Sequence, residues 1–273
     1  MGYFIKLVMF KELFIGAVMK TREIICKELN KFLFEQNGVL AVWEGGSVAT
    51  GFADNYSDLD LVIVVNDEFV EETFKCIDDF IDKTYQILRK YRVPEPTWHG
   101  FSQTFYQAND VPDLFYFDIS VVKKSTEDKF LENSRHGFAK VWFEKEKFVK
   151  PVESKQSEID QRVKKYFEIA TASDFITIIE IKKKIKRRLF SEAFPFYFNF
   201  IARNLGILLN IVHRPHKVDF GLRYIYRDYP QSDHKLIEEA LQVNNIEELE
   251  VKFTNLLVRY EELKSQIENT LTK

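Results

Sequence analysis

Two aspartates separated by a single leucine, Asp58 and Asp60, stand at the head of an apolar run that continues to Val65. Side chains alternate along a β-strand, so residues two apart share a face and lie roughly 6.6 Å from each other. Two carboxylates placed in this way repel each other unless a cation lies between them. A hard divalent ion such as Mg²⁺ prefers oxygen ligands and is usually shared with substrate phosphates. The spacing therefore predicts a metal site.

A Gly-Ser turn precedes these aspartates. Gly46 and Ser47 are separated from Asp58 by ten residues. Gly46 has no Cβ, so the backbone can approach a phosphate closely there. Ser47 offers a hydroxyl and backbone N–H donors, and the turn is expected to open a short helix whose N-terminus favours anions. These two residues are therefore predicted to bind phosphates.

A third acid, Asp118, lies in the strand-like run Leu-Phe-Tyr-Phe-Asp-Ile-Ser-Val-Val. A lone carboxylate in such a run is unfavourable to bury unless it is paired or bound to a metal. On an edge strand with access to solvent, the carboxylate would need neither a paired group nor a metal. On a strand beside the first two acids, Asp118 would be a third metal ligand, a general base for an acceptor hydroxyl, or both.

The sequence from Gly46 to Leu61, G-S-V-A-T-G-F-A-D-N-Y-S-D-L-D-L, followed by the later strand-borne Asp118, resembles the polymerase-β-like nucleotidyltransferase superfamily. Its spelling looks most like the small-molecule branch, the aminoglycoside and lincosamide nucleotidyltransferases. The resemblance is tight over this motif and covers the rest of the chain only in outline. One departure is Glu44, an additional acid just before the turn.

This resemblance implies a set of roles. Gly46 and Ser47 would bind the phosphates of ATP, and the acids Asp58, Asp60 and Asp118 would be the catalytic and metal-binding residues. The cofactor would be Mg²⁺, as one or two ions. The reaction would move a nucleoside monophosphate, AMP from ATP, onto a hydroxyl of a small molecule and release pyrophosphate. An aminoglycoside or lincosamide acceptor would make the protein an antibiotic-resistance enzyme.

Two other functions stay open. One is a protein-directed nucleotidyltransferase of the antitoxin type, in which the acceptor is a partner protein. The other is a non-catalytic regulatory relative, which the complete set of acids argues against. Nucleic-acid polymerisation ranks last, because the net charge is −3 and one basic run, Lys182 to Arg188, is too short for a nucleic-acid track. The expected partners are a nucleoside triphosphate and a small hydroxylated acceptor.

The pattern before residue 150 alternates between helical and strand periods. Apolar spacing predicts helices, β-branched runs predict strands, and Pro or Gly residues separate them. We expect a mixed sheet with flanking helices. The predicted helices are 21–37 and 67–91, and the predicted strands are 39–43, 59–65, 97–107, 114–122 and 140–149.

After Pro151 only helical periods remain, so the second half is expected to be an all-α bundle. The fold class is thus α+β. We place a nucleotidyltransferase catalytic domain at 1–150 and a helical acceptor-binding domain at 151–273. The predicted helices of the second half are 155–190, 193–212, 233–243 and 246–271.

The composition is that of a globular protein, with 45% apolar residues and two cysteines. So few cysteines favour a reduced, cytoplasmic protein, and no segment reaches membrane-spanning length. Residues 1–18 are apolar but interrupted by charges, which favours a helix packed on the domain. The alternative is an extension upstream of Met19. Whether the protein is a monomer or a homodimer is left open.

Two further features have a structural and a functional interpretation. Trp98, His99 and Phe101 are expected to pack in the core, and the alternative is stacking on the ring of a ligand. The basic run from Lys182 to Arg188 is expected to be a solvated helix face. Its alternative is contact with a triphosphate or another anion.

Overall fold

The structure, a computed structural model, describes residues 20–272. The predictions made for residues 1–18 lie outside the described residues. The chain divides into two compact units, the first ending at Glu153 and the second beginning at Ser154. Within the described residues, none of the helices combines the length and the apolar character that crossing a membrane requires.

The first unit is built on a six-stranded sheet. Its two central strands run parallel to each other, while the remaining neighbours are antiparallel. The spatial order is β3-β4-β5-β2-β1-β6. The central strands β2 and β5 therefore begin at the same edge of the sheet. The strands are β1 (Val39–Glu44), β2 (Leu59–Val65), β3 (Ile87–Arg92), β4 (Ser102–Ala108), β5 (Phe117–Lys123) and β6 (Lys140–Glu144).

Two long helices bury one face of this sheet. Their apolar residues share a core with alternate residues of β2 and β5, including Leu59, Leu61, Phe117 and Ile119. Because side chains alternate along a strand, Asp60 and Asp118 project from the opposite face. The helices of this unit are α1 (Arg22–Phe34), α2 (Gly46–Ala49), α3 (Val70–Tyr85) and α4 (Asn133–His136), with a 3₁₀ turn at Asp67–Phe69.

The α+β class and the mixed sheet are confirmed, but the predicted helix 67–91 is wrong after Tyr85. Helix α3 ends at Tyr85, since Gln86 adopts a positive φ of 56°. Residues from Ile87 onward then pair with β4 as an edge strand. Leu88 matched the helical spacing of Ile81, yet its side chain is 53% exposed. Strand pairing, which is non-local, overrides the local helical period here.

Three predicted strands are also shorter than expected, and one of them, β5, begins at Phe117 rather than at residue 114. Residues 97–101 form a turn in which the Thr97 hydroxyl donates to the Phe101 carbonyl at 2.6 Å, so β4 begins only at Ser102. Strand β6 ends at Glu144. The carboxylate of Glu144 accepts hydrogen bonds from the backbone N–H groups of Phe148 and Val149, which turns the chain away from the sheet.

The second unit is helical, as predicted. Its last helix has the predicted bounds and is capped by Asn245, whose side chain accepts from the Glu248 N–H at 2.9 Å. The predicted helix 155–190 is instead interrupted at Ala172 and Ser173. The helices are α5 (Gln156–Thr171), α6 (Asp174–Lys186), α7 (Phe190–Asn199), α8 (Gly206–His213), α9 (Ile225–Asp228), α10 (Gln231–Leu241) and α11 (Ile246–Leu271), with a π-helical segment at Phe200–Leu205 and a 3₁₀ segment at Pro215–Phe220.

The helical unit has its own core, in which Phe200 and Phe253 meet edge to face at 5.4 Å. The basic run from Lys182 lies mostly exposed along the end of α6 and beyond it. Several of its cations pair with nearby acids, as Lys183 does with Glu180 at 2.8 Å. This agrees with the interpretation as a solvated face.

Gln86→Gly is expected to stabilise the protein by about 0.5–1 kcal/mol. An exposed non-glycine residue with positive φ carries backbone strain, which glycine relieves. Urea denaturation followed by circular dichroism measures the change. The same substitution at Lys83, inside α3, is the control and should destabilise by a similar amount. A destabilised Gln86→Gly variant would contradict this account of where α3 ends.

Candidate active site

Asp60 and Asp118 lie directly opposite each other on the parallel strands β2 and β5. Both side chains are half-buried, because their neighbours in sequence fill the core on the other face. Asp58 precedes β2 by one residue and is close enough to repel Asp60. The structure therefore brings the three predicted acids to one edge of the sheet, with Asp118 on the strand adjacent to the Asp-Leu-Asp segment.

The electrostatics of these acids favour a cation. Burial raises the pKa of Asp60 to about 7, and repulsion from Asp58 and Asp118 adds to that effect, while Arg22 opposes it. Burial also raises the pKa of Asp118 to about 6, against the effect of a hydrogen bond from Gln103. Carboxylates whose charged forms are this unfavourable are stabilised by a nearby positive ion.

The donor set fits a metal that is shared with a substrate. Among residues 20–272 there is no group of three or more His, Cys, Asp and Glu side chains that could hold a metal ion by itself. Mg²⁺ commonly takes one or two protein carboxylates and completes its shell with phosphate oxygens and water. Asp58 and Asp60 supply such a pair of ligands. The metal roles of all three acids remain predictions.

Gly46 allows the Asp60 carboxylate to lie against the turn. A Cβ at Gly46 would lie 1.7 Å from Asp60 Oδ2, and the residue has a φ of +52°. The Gly45 N–H donates to the Asp60 carbonyl at 2.9 Å, which attaches the turn to β2. Only glycine is compatible with both the close approach and this backbone conformation.

Ser47 carries a buried hydroxyl that has no hydrogen-bond partner among the described residues. Buried hydroxyls are normally satisfied, so an unpaired one beside a glycine turn is available to a ligand oxygen. Helix α2, which contains Ser47, is a single turn of four residues. The expectation of phosphate binding therefore depends on the bare backbone at Gly46 and on this hydroxyl, rather than on a helix dipole.

The additional acid, Glu44, does not face the turn as a free carboxylate. It is fully buried at the end of β1 and pairs with Arg22, the first residue of α1. Arg22 also donates to the Asp58 carbonyl at 3.2 Å. This arginine thus connects the two ends of the loop that carries the motif. The sequence analysis missed Arg22, since nothing in its spacing connects it to the motif.

Two more side chains contact the acids and were not singled out from the sequence. Gln103, on β4, donates from Nε2 to Asp118 Oδ1 at 2.6 Å. Tyr116 hydrogen-bonds to Asp58; burial raises the pKa of its hydroxyl, and that hydrogen bond acts in the same direction. A polar residue inside a predicted strand, as Gln103 is, was the one available signal for a role at the sheet edge.

Asp54 in the motif loop and the aromatic residues before β4 lie in different environments. Asp54 accepts hydrogen bonds from the Tyr56 N–H at 2.9 Å and the Ser57 hydroxyl at 3.0 Å, which makes it a turn residue. Phe101 is buried as predicted. The prediction of core packing for Trp98 is wrong, because its side chain is 89% exposed at the tip of the turn before β4.

A comparison with protein families bears on this geometry. Residues 26–108 match the nucleotidyltransferase domain family. The matched segment includes Gly46, Ser47, Asp58 and Asp60 and ends before Asp118. The match supports nucleotidyl transfer in general and does not distinguish the small-molecule branch. No protein in the curated collection searched matches the chain.

Arg22→Met is expected to destabilise the protein by about 3 kcal/mol. The substitution leaves the buried Glu44 carboxylate with Lys140, whose Nζ lies 4.0 Å from Glu44 Oε2, as its remaining cation, which costs far more than the loss of an exposed ion pair. Urea denaturation gives the free energy of unfolding. Adding Glu44→Gln should restore part of the loss, and Lys31→Met on the same helix is the control. Equal stability of Arg22→Met and the wild type would contradict the role of this pair.

Gly46→Ala is expected to weaken binding of ATP with Mg²⁺ by at least ~10-fold, because the new methyl group collides with the Asp60 carboxylate. Gly51→Ala is a matched control. Gly51 also has a positive φ, +75°, but no atom lies within 4 Å of a Cβ built there. Isothermal titration calorimetry compares the two variants. If Gly46→Ala and Gly51→Ala weaken ATP binding equally, backbone strain decides the outcome and not the approach of Asp60. Wild-type affinity in Gly46→Ala would contradict phosphate binding at this turn.

Proposed function

We propose that this protein is a Mg²⁺-dependent nucleotidyltransferase. It transfers AMP from ATP to a hydroxyl of a small molecule and releases pyrophosphate. The observation that carries this proposal is the placement of Asp60 opposite Asp118, with Asp58 and the Gly46–Ser47 turn beside them. The family match over residues 26–108 supports the general reaction.

Each residue has a role in this proposal. Asp58 and Asp60 would hold the metal, and Asp118 would either complete its ligands or act on the acceptor. When bound, Mg²⁺ would neutralise the negative charge on the triphosphate oxygens. Gly46 leaves the backbone open to the β- and γ-phosphates, and the Ser47 hydroxyl donates to a phosphate oxygen. Arg22 maintains the loop between these groups by its contacts with Glu44 and Asp58.

The transfer is a single displacement. The acceptor oxygen attacks the α-phosphorus of ATP, and the bond from that phosphorus to the oxygen bridging the α- and β-phosphates breaks. Pyrophosphate leaves with that oxygen, and the proton of the acceptor hydroxyl passes to Asp118 if this residue is the base, or to water if it is a metal ligand. The residues contribute mainly by positioning the reactants and stabilising charge, so no covalent enzyme intermediate is required.

The proposed acceptor is a small hydroxylated molecule, such as an aminoglycoside or a lincosamide, bound by the helical unit. A direct screen tests it: purified protein, ATP and Mg²⁺ with a panel of hydroxylated antibiotics and metabolites, following pyrophosphate. Release that depends on one acceptor supports the proposal. Label from α-³²P-ATP that stays on a protein would favour the protein-directed alternative. Absence of both release and ATP binding would favour a non-catalytic relative.

Asp58→Asn and Asp60→Asn are each expected to reduce transfer by at least ~100-fold, because each removes a charged metal ligand. Asp79→Asn, which alters an exposed acid on α3, is the control and should keep full activity. Pyrophosphate release measures transfer, and the melting temperature verifies folding. Wild-type activity in either folded site variant would contradict the proposed mechanism.

A further inference from the structure

A chain of hydrogen bonds connects His99 to Asp118. The Nε2 atom of His99 lies 3.1 Å from Gln103 Oε1, and Gln103 Nε2 lies 2.6 Å from Asp118 Oδ1. His99 belongs to the turn before β4, Gln103 to β4 and Asp118 to β5. Two segments, the turn with the strand β4 that follows it and the strand β5, are thereby joined at the proposed metal-binding edge of the sheet.

The direction of this chain follows from its first donor. The backbone N–H of Phe101 donates to His99 Nδ1 at 3.1 Å, so Nδ1 must be an acceptor. In the neutral ring the proton is then on Nε2, which donates to the Gln103 carbonyl oxygen. The amide of Gln103 consequently turns its NH₂ group toward Asp118. Because the Phe101 N–H can only donate, the donor and acceptor directions of these hydrogen bonds are fixed while the His99 ring is neutral.

Aromatic packing restricts the His99 ring. The Trp98 ring meets it edge to face at 5.1 Å, and the Phe101 ring contacts it at 5.3 Å with an interplanar angle of 66°. Phe130 lies 6.1 Å away on a third segment. The turn that carries His99 is itself closed by the bond from Thr97 to the Phe101 carbonyl. A ring held in this way can orient Gln103.

We propose that His99 is a positioning residue, which fixes the orientation of the Asp118 carboxylate through Gln103. Gln103 engages Oδ1, so Oδ2 remains the oxygen that faces a metal ion or an acceptor hydroxyl. This inference rests on the proposed function of Asp118. Under this proposal, Gln103 hydrogen-bonds to a metal ligand and His99 orients Gln103. Substitution of residues that hydrogen-bond to metal ligands typically lowers metal affinity by about 10–100-fold.

Binding of the Mn²⁺ complex of a non-hydrolysable ATP analogue, measured by calorimetry on the full chain, tests this assignment, because the proposed ion is shared with substrate phosphates. Gln103→Leu removes both hydrogen bonds at similar volume and should weaken binding by about 10-fold. His99→Phe keeps an aromatic ring but loses the donor, and it should weaken binding by a smaller factor. Gln107→Leu is the matched control, since Gln107 is an exposed glutamine on the same strand, and it should bind as the wild type does.

The double variant His99→Phe/Gln103→Leu separates positioning from a general structural effect. If His99 acts only through Gln103, the double variant binds the Mn²⁺ complex no more weakly than Gln103→Leu alone. Additive losses would overturn the proposal, as would wild-type affinity in His99→Phe. Melting temperatures identify any variant that fails to fold. If a variant fails to fold, NMR of the His99 ring in the wild-type protein tests the proposal instead.

Nitrogen NMR of the histidine rings examines the hydrogen bonds from His99 through Gln103 to Asp118 in the absence of a metal. We expect His99 to be the Nε2–H tautomer, with a ring proton that exchanges slowly in the wild type and faster in Gln103→Leu. An Nδ1–H tautomer, or exchange indifferent to Gln103, would overturn the proposal. If this chain of hydrogen bonds is present but wild-type protein does not bind the Mn²⁺ complex of the ATP analogue, the proposed metal-dependent function fails, and with it the role of His99 there.

Discussion

The candidate site depends on one constraint, the in-register parallel pairing of β2 with β5. This pairing sets Asp60 opposite Asp118, and a shift of one residue would turn one of these acids into the core. The register is specified by burial, because Leu59, Leu61, Phe117 and Ile119 all pack into the same core. The apolar residues of these strands therefore determine where the polar ones can act.

Assembling three acids at one edge carries an electrostatic cost, and the surrounding residues compensate for part of it. Burial and mutual repulsion disfavour the charged carboxylates, while Arg22 and the Gln103 amide act in the opposite direction. Arg22 also pairs with the buried Glu44, so one cation serves the stability of the loop and the electrostatics of the site. Unfavourable charge at a functional site, compensated nearby, is a common compromise between stability and activity.

Much of both units was predictable from local patterns. Strand β2 and the final helix α11 have the bounds that their periodicity predicts. The failures have two causes. The end of α3 and the edge strand β3 depend on pairing with a distant segment, whereas the late start of β4 comes from the local turn closed by Thr97 and Phe101. A helical period that continues through Leu88 carries no information about a partner strand more than ten residues downstream.

The sequence by itself determined the motif, its spacing and the alternation that directs Asp58 and Asp60 away from the core. It also indicated Asp118 as a third acid. Only the tertiary structure decided that β5 is the strand beside β2, that Gly46 receives the Asp60 carboxylate, and that Arg22, His99 and Gln103 support the acids. The physical reason is the separation along the sequence over which each interaction acts. Alternation and turn chemistry act between neighbours in sequence, whereas register, buried ion pairs and hydrogen-bond chains join residues that only the complete fold brings together.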